Sequence, residues 1–214
     1  MHPRGRRGVA GEFAATHEAI SGWFYDDPGG YFDAYTRGEF AFADMRAARY
    51  HEACRRVGLP EQGFATFESA YLDAFATAQV VFDDALDFLD AAAAREIPVA
   101  FVTNSGAAQT EMKLAAVGLA GRGVVVTTDT LGIGKPDPAI FALAVDLLGV
   151  EAAGCLVVGD TLHTDIAGAR ASGMRAAWLQ RLDMPEPRNA GWGTPVDDPA
   201  VRVVTGLDEV VALL

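Results

Sequence analysis

The chain reads as an α/β protein, a parallel sheet flanked by helices, preceded by an all-helical segment. From Val80 onward short apolar runs alternate with helical patterns, the signature of a parallel sheet with helices on both faces. Before that point apolar residues recur at helical spacing and no strand-like run intervenes. A third observation locates the chemistry. Residues 155–174, CLVVGDTLHTDIAGARASGM, set Asp160 and Asp165 at the carboxyl end of a short apolar strand. Ligands of open parallel sheets bind at such strand ends.

The elements follow in order. Residues 4–20 carry weak helical periodicity through Val9, Phe13, Ala14 and Ile20, and RGRRGVAGEF has too much glycine and charge for a strand. Aromatic residues Trp23, Phe24, Tyr25, Tyr31, Phe32 and Tyr35 surround the turn signal Asp26-Asp27-Pro28-Gly29-Gly30. A longer helix is predicted from Phe42 to Val57, ending at Gly58 before Pro60. Another runs from Phe64 to Ala78, with Phe67, Tyr71 and Phe75 on one face. Asp83 or Asp84 is expected to cap a helix from Ala85 to Arg95 whose inward residues are Leu86, Phe88, Leu89 and Ala93. PVAFVT (98–103) is a buried strand ending in Thr103-Asn104-Ser105-Gly106, followed by a helix from Ala108 to Ala116. GVVVTTD (123–129) is a second strand, and Pro138 to Leu148 a helix. The strand Cys155–Val158 and its helix come next, then strands at Arg175–Leu179 and Val201–Val204, separated by the proline- and glycine-rich loop MPEPRNAGWGTPVDDP.

Composition narrows the function. A net charge of -12 argues against a nucleic-acid partner, which calls for a basic face. No apolar run reaches membrane-span length, and the basic residues 1–7 are not followed by a signal-peptide core. The two cysteines, Cys54 and Cys155, make no disulfide framework, so a reducing cytoplasm is the expected compartment. The histidines His2, His17, His51 and His163 lack zinc-ligand spacing; His163 alone lies near the acidic pair.

Two acids as close as Asp160 and Asp165 repel unless a cation neutralises them. A hard cation with oxygen ligands suits them, Mg2+ before Ca2+. The plainer alternative places Asp160 in a turn and makes Asp165 a helix cap. Two more strand-end groups bear on the choice. Thr103 and Asn104 end one strand, and Lys135 precedes a helix in LGIGKPDP (131–138). Taken singly, Thr103 is a strand-end residue, Asn104 a turn residue and Lys135 a solvated charge. Together, a hydroxyl, a lysine and a carboxylate pair suit a phosphate ester with Mg2+.

These residues resemble the haloacid dehalogenase superfamily of hydrolases, most of which are Mg2+-dependent phosphatases. AFVTNSG resembles the family's second motif, GIGKPDPAIF its third and VVGDTLHTDIAGARASGM its fourth. The resemblance implies a Rossmann-like core over residues 79–214 and a small helical cap over 15–78, with 1–14 as the helix that follows the first motif. It implies Thr103 and Lys135 as catalytic residues, and Thr103, Asn104 and Lys135 as the phosphate-binding set. It implies Asp160 as inner-sphere and Asp165 as outer-sphere metal residues, Mg2+ as cofactor and a small phosphorylated metabolite as substrate. Haloacid dehalogenases themselves need no metal and lack this acidic pair, so the pair favours phosphate-ester hydrolysis over dehalogenation.

One departure is severe. The family's first motif, a strand ending in Asp-x-Asp-x-Thr/Val, supplies the nucleophile and the general acid-base, and no Asp-x-Asp occurs anywhere in this sequence. The chain is read as beginning just after its own nucleophile. A start assigned too far downstream, a natural truncation serving as a binding or regulatory module, and acid groups supplied in some other way are the three alternatives. In the family the absent strand lies between the strands ending at Thr103 and Asp160. Its loss leaves roughly ten backbone groups without partners, at ~1–3 kcal/mol each. That sum rivals a domain's whole stability of ~5–15 kcal/mol. The chain as written is therefore expected to be marginal, prone to associate through open strand edges, and inactive toward phosphate monoesters.

The DNA upstream of Met1 is expected to encode, in frame, several apolar residues followed by Asp-x-Asp-x-Thr/Val. Sequencing that region decides: an in-frame stop between such a motif and Met1, or no motif at all, removes the downstream-start explanation.

Overall fold

The computed structural model describes residues 18–181 and 199–214. The helical reading of residues 4–17 and most of the loop at 184–199 lie outside them. The chain divides into two compact units, Met1–Phe75 and Ala76–Leu214.

The described part of the first unit is helical: α1 over residues 18–26, α2 (Tyr31–Thr36), α3 (Phe42–Val57) and the start of α4 (Phe64–Thr77). The turn between α1 and α2 is held by Asp27, whose carboxylate accepts from the backbone N–H of Tyr31 and Phe32. Gly58 closes α3 as the sequence predicts. Its φ of 71° is one that favours glycine, and Leu59 N–H reaches back to the Cys54 carbonyl. Phe24, Tyr50, Ala53 and Cys54 form the apolar cluster, with Phe64, Phe67 and Tyr71 packed on it. The buried cation at its side has no counterpart in the sequence reading. Arg46, 3% exposed, forks onto both carboxylate oxygens of Glu68 at 2.7 Å and lies 4.2 Å from the Tyr71 ring centroid. A guanidinium tolerates burial when its donors meet a carboxylate and its face meets aromatic rings.

The second unit holds α5 (Asp83–Ala94), β1 (Ala100–Thr103), α6 (Ala107–Ala116), β2 (Val124–Thr127), α7 (Thr128–Leu131), α8 (Pro138–Leu148), β3 (Leu156–Gly159), α9 (Ala167–Ala171), β4 (Arg175–Leu179), β5 (Val201–Val204) and α10 (Leu207–Val211). A 3-10 turn, Ala152–Gly154, precedes β3, and a π-helical turn, Leu162–Ile166, precedes α9. Pro138 at the first turn and Gly149 beyond the last bound α8, and Asp137 caps it by accepting from Ala139 N–H. β1 and β2 are shorter than their apolar runs, with Ala100–Thr103 paired to Val124–Thr127, and β3 is displaced by one residue from Cys155–Val158 to Leu156–Gly159, which pairs with Arg175–Trp178.

The sheet comes in two parallel pieces, one ordered β1-β2 and the other β3-β4-β5. Among the described residues no strand pairs with the second edge of β1 or of β3. A common helical layer spans both pieces. α8 packs on β1, β2 and α9, and α9 packs on β4. One apolar cluster runs beneath both, through Val126, Ile140, Phe141, Ile166, Ala169 and Ala176, with Val102 and Val157 packed against it. The opposite face of β3 and β4 carries Leu156, Val158 and Ala177 against Phe88, Leu207 and Val210.

Neither Asp83 nor Asp84 is the cap of α5. The helix begins at Asp83, and Phe82 occupies the capping position without a side-chain bond. Asp84 instead joins distant segments, accepting from Arg181 Nη2 and from Leu207 N–H, each at 2.8 Å. Of the predicted inward residues of α5, Leu89 is buried and Phe88 is half-buried against the β3–β4 face, and Ala92 joins them; Leu86 and Ala93 are exposed. The Arg181 hydrogen bond, with help from Leu207 N–H, holds the Asp84 carboxyl below its ordinary value. A lowered folded pKa contributes stability that is full above the unfolded value and lost as pH falls through the folded one. At neutral pH, Asp84→Asn is expected to destabilise the chain by about 1–3 kcal/mol. Urea unfolding at a series of pH values checks this: the gap between parent and variant should close as pH falls below about 4, and a pH-independent gap would refute the assignment.

Candidate active site

The carboxyl ends of the two sheet pieces converge on Lys135. Its side chain is positioned by a loop with its own scaffold. α7 ends at Gly132 with φ 72°, and the loop then runs through Gly134 to the capped start of α8. Asn104, just past β1, clamps this loop in both directions: its amide donates to the Lys135 carbonyl at 2.8 Å, and its Oδ1 accepts from Lys135 N–H at 2.6 Å. A side chain on Gly134 would lie 2.6 Å from both Asn104 Oδ1 and Thr128 Oγ1, so the clamp requires glycine there.

From that loop Lys135 Nζ reaches Asp165 Oδ1 at 2.7 Å, with both side chains largely buried. Asp165 is no helix cap. It sits in the π-helical turn and folds back, so that its Oδ2 accepts from Thr161 N–H at 3.0 Å. Both carboxylate oxygens are thus engaged. Gly159 makes room for them, because a Cβ at this position would come within 2.5 Å of Asp165 Oδ2.

Asp160 differs in every respect. It lies one residue beyond β3 and is exposed, and its carboxylate has only a long contact from the Thr161 hydroxyl, 3.4 Å, among the described residues. Its backbone carbonyl accepts from Trp178 Nε1 at 3.0 Å. Thr103 is half-buried at the end of β1, opposite Thr127, and its hydroxyl accepts from Ser105 N–H. His163 is exposed.

The structure therefore brings Asn104, Lys135, Asp165 and Asp160 into one connected set, with Thr103 adjoining through the chain. Gly134, Gly159 and Trp178 are additions. The two glycines stand immediately before the lysine and the first aspartate, and that placement was the available signal; nothing local marks Trp178. The donor set fits Mg2+ in kind. Among the described residues no three His, Cys, Asp or Glu side chains form a ready metal cage. Mg2+ needs none, since it keeps several waters and takes one or two carboxylates plus substrate phosphate oxygens.

A sequence profile of haloacid dehalogenase-like hydrolases matches residues 6–173. Among curated proteins, phosphoserine phosphatase of Thermus thermophilus is 35% identical over 119 residues, covering 55% of this chain and 48% of that protein. Phosphoglycolate phosphatase of Rhodospirillum rubrum is 43% identical over 95 residues, covering 44% of this chain and 39% of that one. In these matches the chain spans less than half the length of its curated relatives. Among solved structures, a HAD-hydrolase of Bacillus subtilis bound to magnesium is similar with a TM-score of 0.72 at 18% identity, covering 91% of this chain and 82% of that one. A dehalogenase with an intermediate complex has a TM-score of 0.71 at 22% identity, covering 97% and 88%. At such identities these two likenesses concern the fold.

Gly159→Ala tests the packing beneath the site. The methyl group collides with Asp165, and the expected cost is about 1–3 kcal/mol, read from urea unfolding. An unchanged midpoint would show that the carboxylate is not held against β3.

Proposed function

The chain belongs to the haloacid dehalogenase-like hydrolases, and we propose that its reaction within that family is Mg2+-dependent hydrolysis of a small phosphate monoester. The observation that carries this reading is the Lys135–Asp165 ion pair, 2.7 Å long, one turn of chain from the exposed carboxylate of Asp160. A lysine and a cation-binding carboxylate at the same strand ends suit a dianionic ester, whose charge the lysine and the bound cation would neutralise. The curated relatives named above are phosphatases of small metabolites, which supports the same substrate class.

The proposed roles follow from the contacts. Asp160 would hold Mg2+ directly, and Asp165, with both oxygens already bonded, would act on it through water. Bound there, Mg2+ would neutralise charge on the phosphoryl oxygens. Lys135 donates to those oxygens while Asp165 holds its ammonium in place. Asn104 serves by fixing the Lys135 main chain, since both ends of its amide are taken by that residue. The Thr103 hydroxyl donates to the phosphate. The attacking carboxylate belongs to the Asp-x-Asp motif that this sequence lacks, so the 214-residue chain is proposed to be inactive by itself.

Residues 15–78 are proposed as the helical cap and 79–214 as the core. A nucleic-acid partner is not proposed, given the net charge of -12. No helix among the described residues is long and apolar enough to cross a membrane. Cys54 and Cys155 are both free, which supports a cytoplasmic location.

In a form carrying the first motif, hydrolysis of phosphate monoesters is expected to require Mg2+. Asp160→Asn should lower kcat/KM by more than the roughly 10–100-fold typical of outer-shell partners. Steady-state assays with and without excess chelator check both, and full activity in chelator would overturn the phosphatase reading in favour of dehalogenation. The 214-residue chain alone should bind Mg2+ only weakly.

A further inference from the structure

Asp160 is the exposed member of the acidic pair, and the hydrogen bonds that fix Asp165 do not fix it. β3 ends at Gly159, so the Asp160 peptide lies beyond the last paired residue of the ladder. Among the described residues its carboxylate has only the 3.4 Å contact from Thr161 next door. The long-range tie is made by β4, where the indole N–H of Trp178 donates to the Asp160 carbonyl at 3.0 Å.

The placement of Trp178 explains how this tie is held. Trp178 pairs in register with Gly159, and its body packs against the apolar cluster beneath the sheet, on the face that also carries Ala176 and Val157. An aromatic side chain with an apolar body and one donor suits such a boundary. The half-buried ring rests against the core and its single polar atom faces the strand end. Gly159 leaves the neighbouring position free of any side chain and so leaves space for the Asp165 carboxylate. One pair of β3–β4 residues thus sets both acids, Gly159 by making room for Asp165 and Trp178 by gripping Asp160.

We infer that Trp178 is a positioning residue for the metal centre: its indole N–H fixes the Asp160 peptide and thereby orients the carboxylate that takes the cation. This rests on the reading of Asp160 as a metal ligand. Partners one shell removed from a metal commonly change its affinity by about 10–100-fold. A single neutral hydrogen bond to a backbone carbonyl belongs at the lower end of that range.

The experiment uses the full chain with Mn2+ as the probe, free Mn2+ being read by its electron paramagnetic resonance signal. Three variants are compared with the parent: Asp160→Asn, Trp178→Phe, and a chain with benzothienylalanine at position 178. The last keeps the bicyclic shape and replaces the N–H by sulfur, so it tests the donor even where the phenylalanine variant unfolds. Asp160→Asn should abolish binding, and loss of the Trp178 donor should weaken it about tenfold at unchanged urea midpoint for the benzothienyl form. In the parent, the Trp178 indole 1H–15N resonance should shift on addition of diamagnetic Mg2+, and that shift should vanish in Asp160→Asn. If the parent binds no Mn2+, or Asp160→Asn binds it as well as the parent, the metal reading of Asp160 fails and the inference with it. If Asp160→Asn loses binding while the benzothienyl form keeps full affinity, the metal reading stands and the role of Trp178 is refuted.

Discussion

The ion pair between Lys135 and Asp165 is the contact on which the second unit depends. It joins a loop that follows β2 to a turn that follows β3, and these strands belong to different pieces of the sheet. Asn104 extends the link back to β1 through the Lys135 main chain. The convergence of the two pieces at their carboxyl ends is therefore carried by side chains and a loop, with no ladder of backbone bonds between β1 and β3 among the described residues. A buried pair is costly to desolvate and is retained where its geometry matters. Here that geometry brings cation and carboxylate to one point at the strand ends.

The small residues around this pair follow from it. Gly134 permits the Asn104 clamp and Gly159 admits the Asp165 carboxylate, in both cases because a Cβ would overlap polar atoms. The π-helical turn at Leu162–Ile166 has a related effect. It lets Asp165 fold back on Thr161 while Leu162 and Ile166 enter the core. The helical unit resolves its buried charge differently, with Arg46 held by Glu68 and aromatic faces. Neither arrangement leaves a buried charge unpaired, as the low dielectric of an interior demands.

Much of this architecture was legible from local signals. Phe42–Val57, Pro138–Leu148, Arg175–Leu179 and Val201–Val204 have the bounds that the sequence predicts, because glycine, proline and β-branched residues mark them locally. The identities of Thr103, Asn104, Lys135, Asp160 and Asp165 as a group were legible too, since each follows a strand or precedes a helix in recognisable company.

The sequence by itself thus determined the alternation of strands and helices and the residue types at the strand ends, both of which depend on near neighbours in the chain. Tertiary structure alone decided where the strands stop: the carbonyls of Val99 and Cys155 still accept from Val124 and Arg175 N–H, and the paired residues begin one position later. It alone diverted Asp84 from capping α5 to a bond 123 residues away. It alone gave Asn104 to the Lys135 main chain, Lys135 to Asp165 and Trp178 to Asp160. Each of these bonds joins groups that chain folding brings together from distant positions, and hydrophobic periodicity reports which face a residue lies on without naming the residue across from it.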